Sequence, residues 1–225
     1  MSYTTEARLG VIFDVDGVLL DSYQMHFQCW MSLAAEDGIV ITESEFRSLF
    51  GRRGQEIARQ VWGPEFSEQY IVSIHRRKQA LYRESLQRNV PAMDGAVQLI
   101  DGLVEAGMVL AVGSSAPPAN VEMTLEKLDR RQAFSAIVTG DDVTQGKPDP
   151  RVFLLAAQRM GLETSHCAVI EDAPAGIAAA VTGGMIAIAL LGTAQADRFP
   201  QAHLVVNSLH QLSPKRISDL IEAQN

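Results

Sequence analysis

The sequence predicts an α/β protein in which a parallel sheet is covered by helices on both faces and a helical cap is inserted after the first strand. Two observations predict the sheet: short apolar runs recur along the chain, and helix-length segments separate most of them. The third observation is a break in this rhythm, because residues 22–90 read as amphipathic helices without a clear strand. We therefore expect a core formed by residues 1–20 and 91–225 and a cap formed by residues 21–90.

Each strand is predicted from a continuous aliphatic run, the pattern of a strand that is buried on both faces. The predicted strands cover residues 9–13, 108–112, 136–138, 167–170, 185–190 and 204–206. The predicted helices cover residues 94–106, 117–131, 150–161 and 173–182 of the core, and Tyr23–Glu36, Glu43–Phe50, Gly54–Val61 and Glu68–Glu84 of the cap. Residues 89–91 are typical of a linker, so we expect hinges near residues 20–23 and 89–93.

The composition is that of an ordinary globular protein, and it disfavours some functions. Of the 225 residues 47% are hydrophobic and 20% are charged, and the formal net charge of -8 argues against a general nucleic-acid binder. Residues 21–90 contain nine acids and nine bases, so the rest of the chain carries the whole negative charge. Cys29 and Cys167 show no metal-ligand spacing and are too few for a disulfide framework, which favours a reducing cytoplasm.

One stretch has the length of a membrane span, because residues 173–196 contain no charged side chain. However, Pro174 and several glycines interrupt it, and it reads as a helix of small residues followed by a short strand. The first ten residues, MSYTTEARLG, lack the apolar segment of a signal peptide. We therefore expect a cytoplasmic protein without a membrane partner.

Polar side chains lie near the predicted strand ends, which meet at one edge of a parallel sheet. These side chains are Asp14, Asp16, Ser114, Ser115, Lys147, Glu171 and Asp172. Acidic oxygen ligands suit Mg²⁺ better than Zn²⁺, which prefers histidine and cysteine. We therefore expect Asp14 and Asp172 to share a magnesium ion, with Glu171 nearby.

The same edge offers groups that would bind a phosphate. Backbone amides after Ser114, at the start of a helix, would hold phosphate oxygens through their N–H groups and the helix dipole. Ser114 or Ser115 could supply a hydroxyl, and the end of the apolar run favours Ser114. Lys147 would neutralise phosphate charge and keep Asp14 ionised, because a nearby positive charge lowers the pKa of a carboxyl group.

The spacing of Asp14 and Asp16 predicts two chemical roles. In an extended strand, side chains two residues apart lie on one side, with Cα atoms roughly 6–7 Å apart. One carboxylate can then attack phosphorus while the other protonates the leaving oxygen. Because four separate strand ends supply groups for the same chemistry, purely structural roles for these acids are disfavoured.

Four segments, in this order, resemble the four motifs of the haloacid dehalogenase-like superfamily. They are DVDGVLLDS, Ser114 after an apolar strand, Lys147 in GKPDP, and EDAPAGI. The resemblance implies a Rossmann-like core, and it implies that Asp14 is the nucleophile that forms an aspartyl-phosphate. It also implies that Asp16 is the general acid/base and gives its backbone carbonyl to Mg²⁺. The name-giving dehalogenases lack a second acid at that position, so Asp16 favours phosphoryl chemistry.

The cap resembles the small four-helix cap of the phosphatase and β-phosphoglucomutase branch. DSYQMHFQCW is similar to the mutase segment with a hinge-proximal histidine, which maps to His26. RRKQALY is similar to the stretch with a substrate-binding lysine, which maps to Lys78. An arginine of the mutases falls on Gly54 here, with Arg52 and Arg53 just before it, and either arginine could face the substrate. This departure weakens the mutase assignment. His26 and Lys78 do not decide between the two functions, because many sugar-phosphate phosphatases of the same branch also carry a histidine or basic cap residues.

Structural alternatives stand beside these roles. His26 could serve packing, and Lys78 could belong to a solvated face of its helix. Asp21 could cap the first helix of the cap together with Ser22. The remaining histidines show no ligand spacing and are expected to be structural or surface groups: His75, His166, His203 and His210.

Three functions remain open. The leading one is a Mg²⁺-dependent phosphatase for a small phosphorylated metabolite, such as a sugar or polyol phosphate, over which the cap would close. The second is a phosphomutase of the β-phosphoglucomutase type, which passes the phosphoryl group to a sugar hydroxyl instead of water. The third is a receiver-like switch, which needs neither a lid nor a leaving-group acid. We expect no nucleic-acid partner, and a monomer or weak dimer.

Overall fold

The computed structural model describes residues 8–192 and 194–224 and places six parallel strands in one sheet. The strands β1 to β6 are Gly10–Phe13, Val109–Gly113, Phe134–Val138, Cys167–Glu171, Ile186–Leu190 and Leu204–Val206. Their order across the sheet is β3-β2-β1-β4-β5-β6. The predicted α/β fold with a parallel sheet is confirmed, and β3 begins before the apolar run 136–138 that predicted it.

Helices precede or follow these strands at nearly all of the predicted places. The helices α1 to α9 are Tyr23–Glu36, Glu43–Leu49, Gly54–Trp62, Glu68–Arg88, Ala96–Glu105, Pro118–Lys127, Arg151–Met160, Pro174–Thr182 and Pro214–Glu222. The helix α9 lies in a segment for which the sequence patterns above predict no helix. Its signals are Ser213, whose hydroxyl accepts a hydrogen bond from the Arg216 amide, and Pro214 in the first turn.

The sheet is buried on both faces, because successive side chains of a strand point to opposite sides. Val11 and Phe13 of β1 belong to a cluster with residues of α5, α6 and α9, whereas Ile12 belongs to a cluster with residues of α7 and α8. All residues of β1 are buried. This two-sided burial explains why the strands read as continuous aliphatic runs rather than as alternating ones.

The helices α1 to α4, here called the helical insertion (residues 23–88), have a hydrophobic cluster of their own. Trp30 and Trp62 are each 1% exposed, and their ring centroids lie 6.0 Å apart. Phe46 and Ile74 belong to the same cluster. The division into a core and a separate cap domain, with the cap over residues 21–90, stays a prediction.

The change in strand order places the site. The chain runs from β1 to β2 and β3 on one side, and β4 then returns to the other side of β1. Phe13 at the end of β1 is paired with Val112 of β2 and Ile170 of β4, so the residues after these three strands are neighbours. In open α/β sheets, ligands bind at the carboxyl ends of the strands where the order reverses.

The uncharged stretch that begins at residue 173 contributes α8 and β5 to this architecture. Within the described ranges, none of the helices combines the length and apolar character that crossing a membrane requires.

Candidate active site

Asp14 follows β1 directly and is buried beside Lys147. The Asp14 amide donates a hydrogen bond to the Ile170 carbonyl at 3.0 Å, which holds the residue at the edge of the sheet. The Lys147 ammonium donates to Asp14 Oδ1 and to Glu171 Oε1, at 2.6 Å in each case. The structure therefore brings three of the predicted residues, from three distant segments, into one buried cluster of charges.

Burial and the neighbouring charges act in opposite directions on this cluster. Burial raises the pKa of Asp14 to about 7, although the Lys147 ammonium beside it acts to lower that pKa. Burial acts to lower the pKa of Lys147, but the carboxylates of Asp14 and Glu171 outweigh it and raise the pKa above its ordinary value. Lys147 therefore stays charged, and a single ammonium serves two carboxylates.

Glu171 and Asp172 reach the same edge from the end of β4, and each is 1% exposed. Glu171 Oε2 accepts a hydrogen bond from the Ala173 amide at 2.7 Å. Asp172 packs against Gly17, where an added Cβ would overlap its carboxylate. Gly17 also has a φ of +89°, which a side chain would disfavour. Glycine at this position therefore lets Asp172, which follows β4, approach the loop after β1.

The donors at this edge are carboxylate oxygens, which is the chemistry that Mg²⁺ prefers. Within the described parts of the chain, no three His, Cys, Asp or Glu side chains are grouped as a metal site. Asp14 and Glu171 are both directed at Lys147 instead. The single ammonium is nevertheless shared by two buried carboxylates, so an additional positive charge fits the site.

Asp16 is held by two side chains of the helical insertion and by Ser22, which directly precedes the insertion. The Ser22 hydroxyl donates to Asp16 Oδ1 at 2.7 Å, and His26 Nε2 and the Tyr82 hydroxyl donate to the same oxygen at 2.9 Å each. Burial acts to raise the pKa of Asp16, but His26, Ser22 and the charge of Lys78 hold it well below its usual range. Among the described residues no hydrogen-bond partner contacts Oδ2, so one oxygen is anchored and the other is available for proton transfer.

The His26 ring is fixed by contacts at both nitrogens and over one face. Because Nε2 donates to Asp16, Nδ1 is assigned as the acceptor from the Lys78 ammonium. The ring stacks on Tyr82 with centroids 4.1 Å apart. Burial lowers the pKa of His26, and it lowers the pKa of Lys78 to about 8. Lys78 is only 2% exposed, so the alternative of a solvated helix face is wrong for this residue.

Tyr82 and Ser22 both contact Asp16, and the sequence patterns revealed neither contact. Tyr82 lies four residues after Lys78 on α4, which places both on one face of the helix and was the available signal. Ser22 stands at the N-cap of α1 but makes no capping hydrogen bond. Its hydroxyl is directed at Asp16, so the expected capping role of Ser22 is wrong.

The predicted phosphate loop follows β2. Ser114 is 1% exposed, and its amide donates to the Val138 carbonyl at 3.0 Å. The Ala116 amide donates to Ser114 Oγ at 3.1 Å, so this hydroxyl and an amide that follows it already contact each other. Ser114 and Ser115 both line the cleft between the sheet edge and the helical insertion, and Asp14 and Asp16 line it too.

The two arginines before α3 differ in their surroundings, although both line the cleft. The Arg53 guanidinium donates to the backbone carbonyls of Thr144 at 3.0 Å and Gly140 at 3.2 Å. It thereby ties the insertion to loops of the core. Arg52 is exposed at the opening of the cleft.

A family model described as haloacid dehalogenase-like hydrolase matches residues 11–190, which include every polar strand-end residue described above. The chain belongs to the haloacid dehalogenase-like hydrolase family. The predicted resemblance is therefore confirmed.

Relatives of this haloacid dehalogenase-like hydrolase include enzymes of two kinds. Hexitol phosphatase A of Escherichia coli (strain K12) is 30% identical over 206 residues, which are 91% of this chain and 93% of that protein. Beta-phosphoglucomutase of Bacillus subtilis (strain 168) is 30% identical over 210 residues, 90% of this chain and 91% of that protein. A crystal structure of beta-phosphoglucomutase from Clostridium difficile matches with a TM-score of 0.88 and 25% identity over 96% of this chain and 98% of that one.

These relatives place the chain in the phosphatase and β-phosphoglucomutase-like branch, as predicted. The predicted enzyme class, a phosphoric monoester hydrolase of this superfamily, is confirmed as well, and the phosphomutase alternative is also consistent with the relatives.

Proposed function

We propose that this hydrolase is a Mg²⁺-dependent phosphatase of a small sugar or polyol phosphate, acting through an aspartyl-phosphate on Asp14. One observation carries the proposal: a buried carboxylate paired with Lys147 shares a cleft with Asp16, of which one oxygen is anchored. A nucleophile and a separate proton carrier are what cleavage of a phosphate ester through a covalent intermediate needs.

In the first step an Asp14 oxygen attacks phosphorus, and the bond between phosphorus and the ester oxygen breaks. Asp16 gives its proton to the leaving oxygen, so that an alcohol departs. The negative charge of a bound phosphate raises the pKa of Asp16 and thereby favours the protonated form that this step requires. Lys147, which contacts Asp14, and Ser114, which lines the cleft, would bind the phosphoryl oxygens.

In the second step water attacks the aspartyl-phosphate. Asp16, now a carboxylate, accepts a proton from that water, while the bond between phosphorus and the Asp14 oxygen breaks and inorganic phosphate is released. His26 and Tyr82 hold Asp16 in place through both steps. A magnesium ion held by Asp14, Asp172 and the Asp16 carbonyl, with Glu171 nearby, would supply positive charge to the transferring phosphoryl group.

The surroundings of Arg53 favour a phosphatase over a mutase. A mutase has to bind a sugar that carries a second phosphate, which calls for a free cation in the cap. Arg53 is engaged with two backbone carbonyls of the core, and glycine stands at position 54, where the mutase arginine falls. Of the two arginines only Arg52 then remains to meet a second phosphate, and with Arg53 engaged we infer that water is the acceptor of the phosphoryl group.

The test is phosphate release from a panel of sugar and polyol phosphates in the presence of Mg²⁺. We expect release by the unchanged enzyme and its loss, by at least about 1,000-fold, in Asp14→Asn, because the nucleophile is gone. Asp129→Asn is the matched control, since the Asp129 side chain is fully exposed on the surface.

Two results would contradict the proposal. Rapid conversion of a hexose 1-phosphate to the 6-phosphate, stimulated by a bisphosphate and with little phosphate release, would identify a mutase. Stable phosphorylation by a small phospho-donor without turnover would identify a switch.

A further inference from the structure

A chain of side-chain hydrogen bonds lies along the cleft. His75, Gln79 and Arg83 follow one another at four-residue intervals on α4, and Asn120 lies opposite on α6. Arg83 Nη1 donates to Asn120 Oδ1 at 3.3 Å, and Asn120 Nδ2 donates to Gln79 Oε1 at 2.8 Å. Gln79 Nε2 lies 2.8 Å from His75 Nε2. Because a guanidinium only donates, it sets the direction of the whole chain and makes His75 Nε2 an acceptor.

This series of hydrogen-bonded side chains presents neutral groups to the cleft. His75, Gln79 and Asn120 line it, whereas Arg83 stands behind Asn120. Burial lowers the pKa of His75 to about 4, so the ring is neutral near pH 7. A lining of neutral amides and a neutral imidazole suits hydroxyl groups better than it suits a second phosphate or a carboxylate.

These side chains keep donors and acceptors that the hydrogen bonds among them do not use. Each amide nitrogen has a second N–H, each amide oxygen has a second lone pair, and His75 Nδ1 carries a proton because Nε2 accepts. Gln79 is 8% exposed and Asn120 is 2% exposed, and the hydrogen bond between them fixes the orientation of both amides. Fixed groups with spare donors and acceptors can read the positions of hydroxyls on a ligand.

Gly54 is part of the same arrangement. A Cβ at this position would lie 2.6 Å from Cδ2 and Nε2 of the His75 ring. The absence of a side chain at residue 54 therefore leaves the space that the imidazole occupies. Where the related mutases have an arginine, this protein has the neutral ring of His75, which is hydrogen-bonded to Gln79.

We propose that Gln79 and Asn120, with His75 beside them, bind the hydroxyl groups of the sugar or polyol part of the substrate, and that Arg83 is a positioning residue for Asn120. The substrate class rests on the proposed function. Gln79 comes from the helical insertion and Asn120 from the core, so a hydroxylated substrate bridges the two sides of the cleft. An ester without hydroxyls leaves these buried polar groups without that partner, which weakens its binding.

The test compares phosphate esters with and without hydroxyls. Binding is measured by calorimetry to the Asp14→Asn variant in the presence of Mg²⁺, so that no ligand is consumed. The hydroxylated ligands are sorbitol 6-phosphate, mannitol 1-phosphate and fructose 1-phosphate, and n-hexyl phosphate has the same number of carbons without hydroxyls. We expect the best hydroxylated ligand to bind at least about 10-fold more tightly than hexyl phosphate.

Two variants remove the proposed contacts while keeping the size of the side chain. Gln79→Leu or Asn120→Leu, added to Asp14→Asn, should bring the ratio of the two affinities close to one and leave the affinity for hexyl phosphate unchanged. Gln87→Leu is the matched control, because Gln87 is exposed on the same helix. Arg83→Met should reduce the ratio by a smaller factor, and it keeps the test available if a cleft variant does not fold.

The outcomes separate this inference from the proposed function. The inference would be overturned if Asp14→Asn bound all of the esters with equal affinity, or if the added substitutions weakened both kinds of ester equally. The hydrogen-bonded side chains would then be a purely structural link between α4 and α6. A hydroxyl preference in binding without phosphate release by the unchanged enzyme would support the inference and overturn the phosphatase. Release at equal kcat/KM from hydroxylated and plain esters would do the reverse.

Discussion

At the residue scale, the geometry of Asp16 distinguishes the oxygen that is held from the oxygen that can react. Oδ1 receives hydrogen bonds from Ser22, His26 and Tyr82. A carboxylate fixed in this way needs no reorganisation before it gives or takes a proton, which lowers the barrier of the proposed reaction. Each of the three donors should therefore contribute to turnover more than to substrate binding.

Removing the Tyr82 hydroxyl tests this directly. Tyr82→Phe keeps the ring that stacks on His26 but removes one of the bonds to Asp16. We expect kcat to fall about 10-fold with little change in KM, because a hydrogen bond to a charged group is lost from the reacting state. Steady-state kinetics with the best ester of the panel measure kcat and KM. Tyr70→Phe is the control, since that hydroxyl, on the same helix, contacts Asp37 instead, and an unchanged kcat in Tyr82→Phe would contradict the role.

Lys78 should set the basic limb of the pH profile. Burial lowers its pKa to about 8, so its positive charge is present below that pH and is lost as the pH rises through it. The cleft then loses a cation that attracts the phosphate dianion, and kcat/KM should fall above about pH 8. Lys78→Arg keeps its charge at every pH used, so its profile should lack this limb. The measurement is kcat/KM of both enzymes from pH 6 to pH 10. If kcat/KM falls at the same pH in both, a group other than Lys78 causes the fall.

At the scale of elements, most buried apolar side chains of the helical insertion form a cluster of their own, whereas Cys29, Tyr82 and Leu86 join a cluster of the sheet. Ile74 is fully buried among the insertion helices, whereas Ile100 is fully buried against the sheet. Helices that bury one face against each other can unfold together without the rest of the chain. If the predicted cap is a separate domain, it should therefore unfold independently of the core.

Ile74→Ala and Ile100→Ala form a matched pair for this prediction. Each should lower the free energy of unfolding by about 2–5 kcal/mol, because each leaves a cavity in a packed cluster. If the insertion is a separate domain, only Ile74→Ala should lower the midpoint of unfolding followed by tryptophan fluorescence. Both tryptophans of the chain, Trp30 and Trp62, lie in the insertion, and circular dichroism follows the whole chain. Coincident transitions in both variants would contradict two separate domains.

At the scale of the whole molecule, burial of neutral histidine should make the protein sensitive to acid. The pKa of His75 is lowered from 6.5 to about 4 in the folded chain. Between these values the unfolded chain binds a proton that the folded chain does not. The free energy of unfolding therefore rises with pH from about 4 to 6.5, and the contribution of His75 is constant above that window.

His75→Gln removes the titrating group and keeps a neutral polar side chain. Its free energy of unfolding should differ less between pH 5 and pH 8 than that of the unchanged protein. Urea unfolding at the two pH values measures this difference. Equal differences in the two proteins would show that His75 does not contribute to the acid sensitivity.

The sequence by itself was sufficient for the sheet and for the residues at its edge. A strand buried on both faces needs an unbroken aliphatic run, so the pattern of β1 and its neighbours could be read locally. Asp14, Lys147 and Glu171 stand next to predicted strands or a predicted helix start, and parallel strands end at one edge. Their meeting therefore followed from the fold class alone, and the family match agrees with it.

Only the tertiary structure decided which faces of the insertion meet the acids. Tyr82 contacts Asp16 from 66 residues away, and Asn120 contacts Gln79 from 41 residues away. Helical periodicity tells which side chains share a face, but it does not tell what that face packs against. For the same reason the sequence left Lys78 open as a solvated residue and treated His75 as structural. Both lie at a contact between distant segments, and burial in that contact is what changes their charge and chemistry.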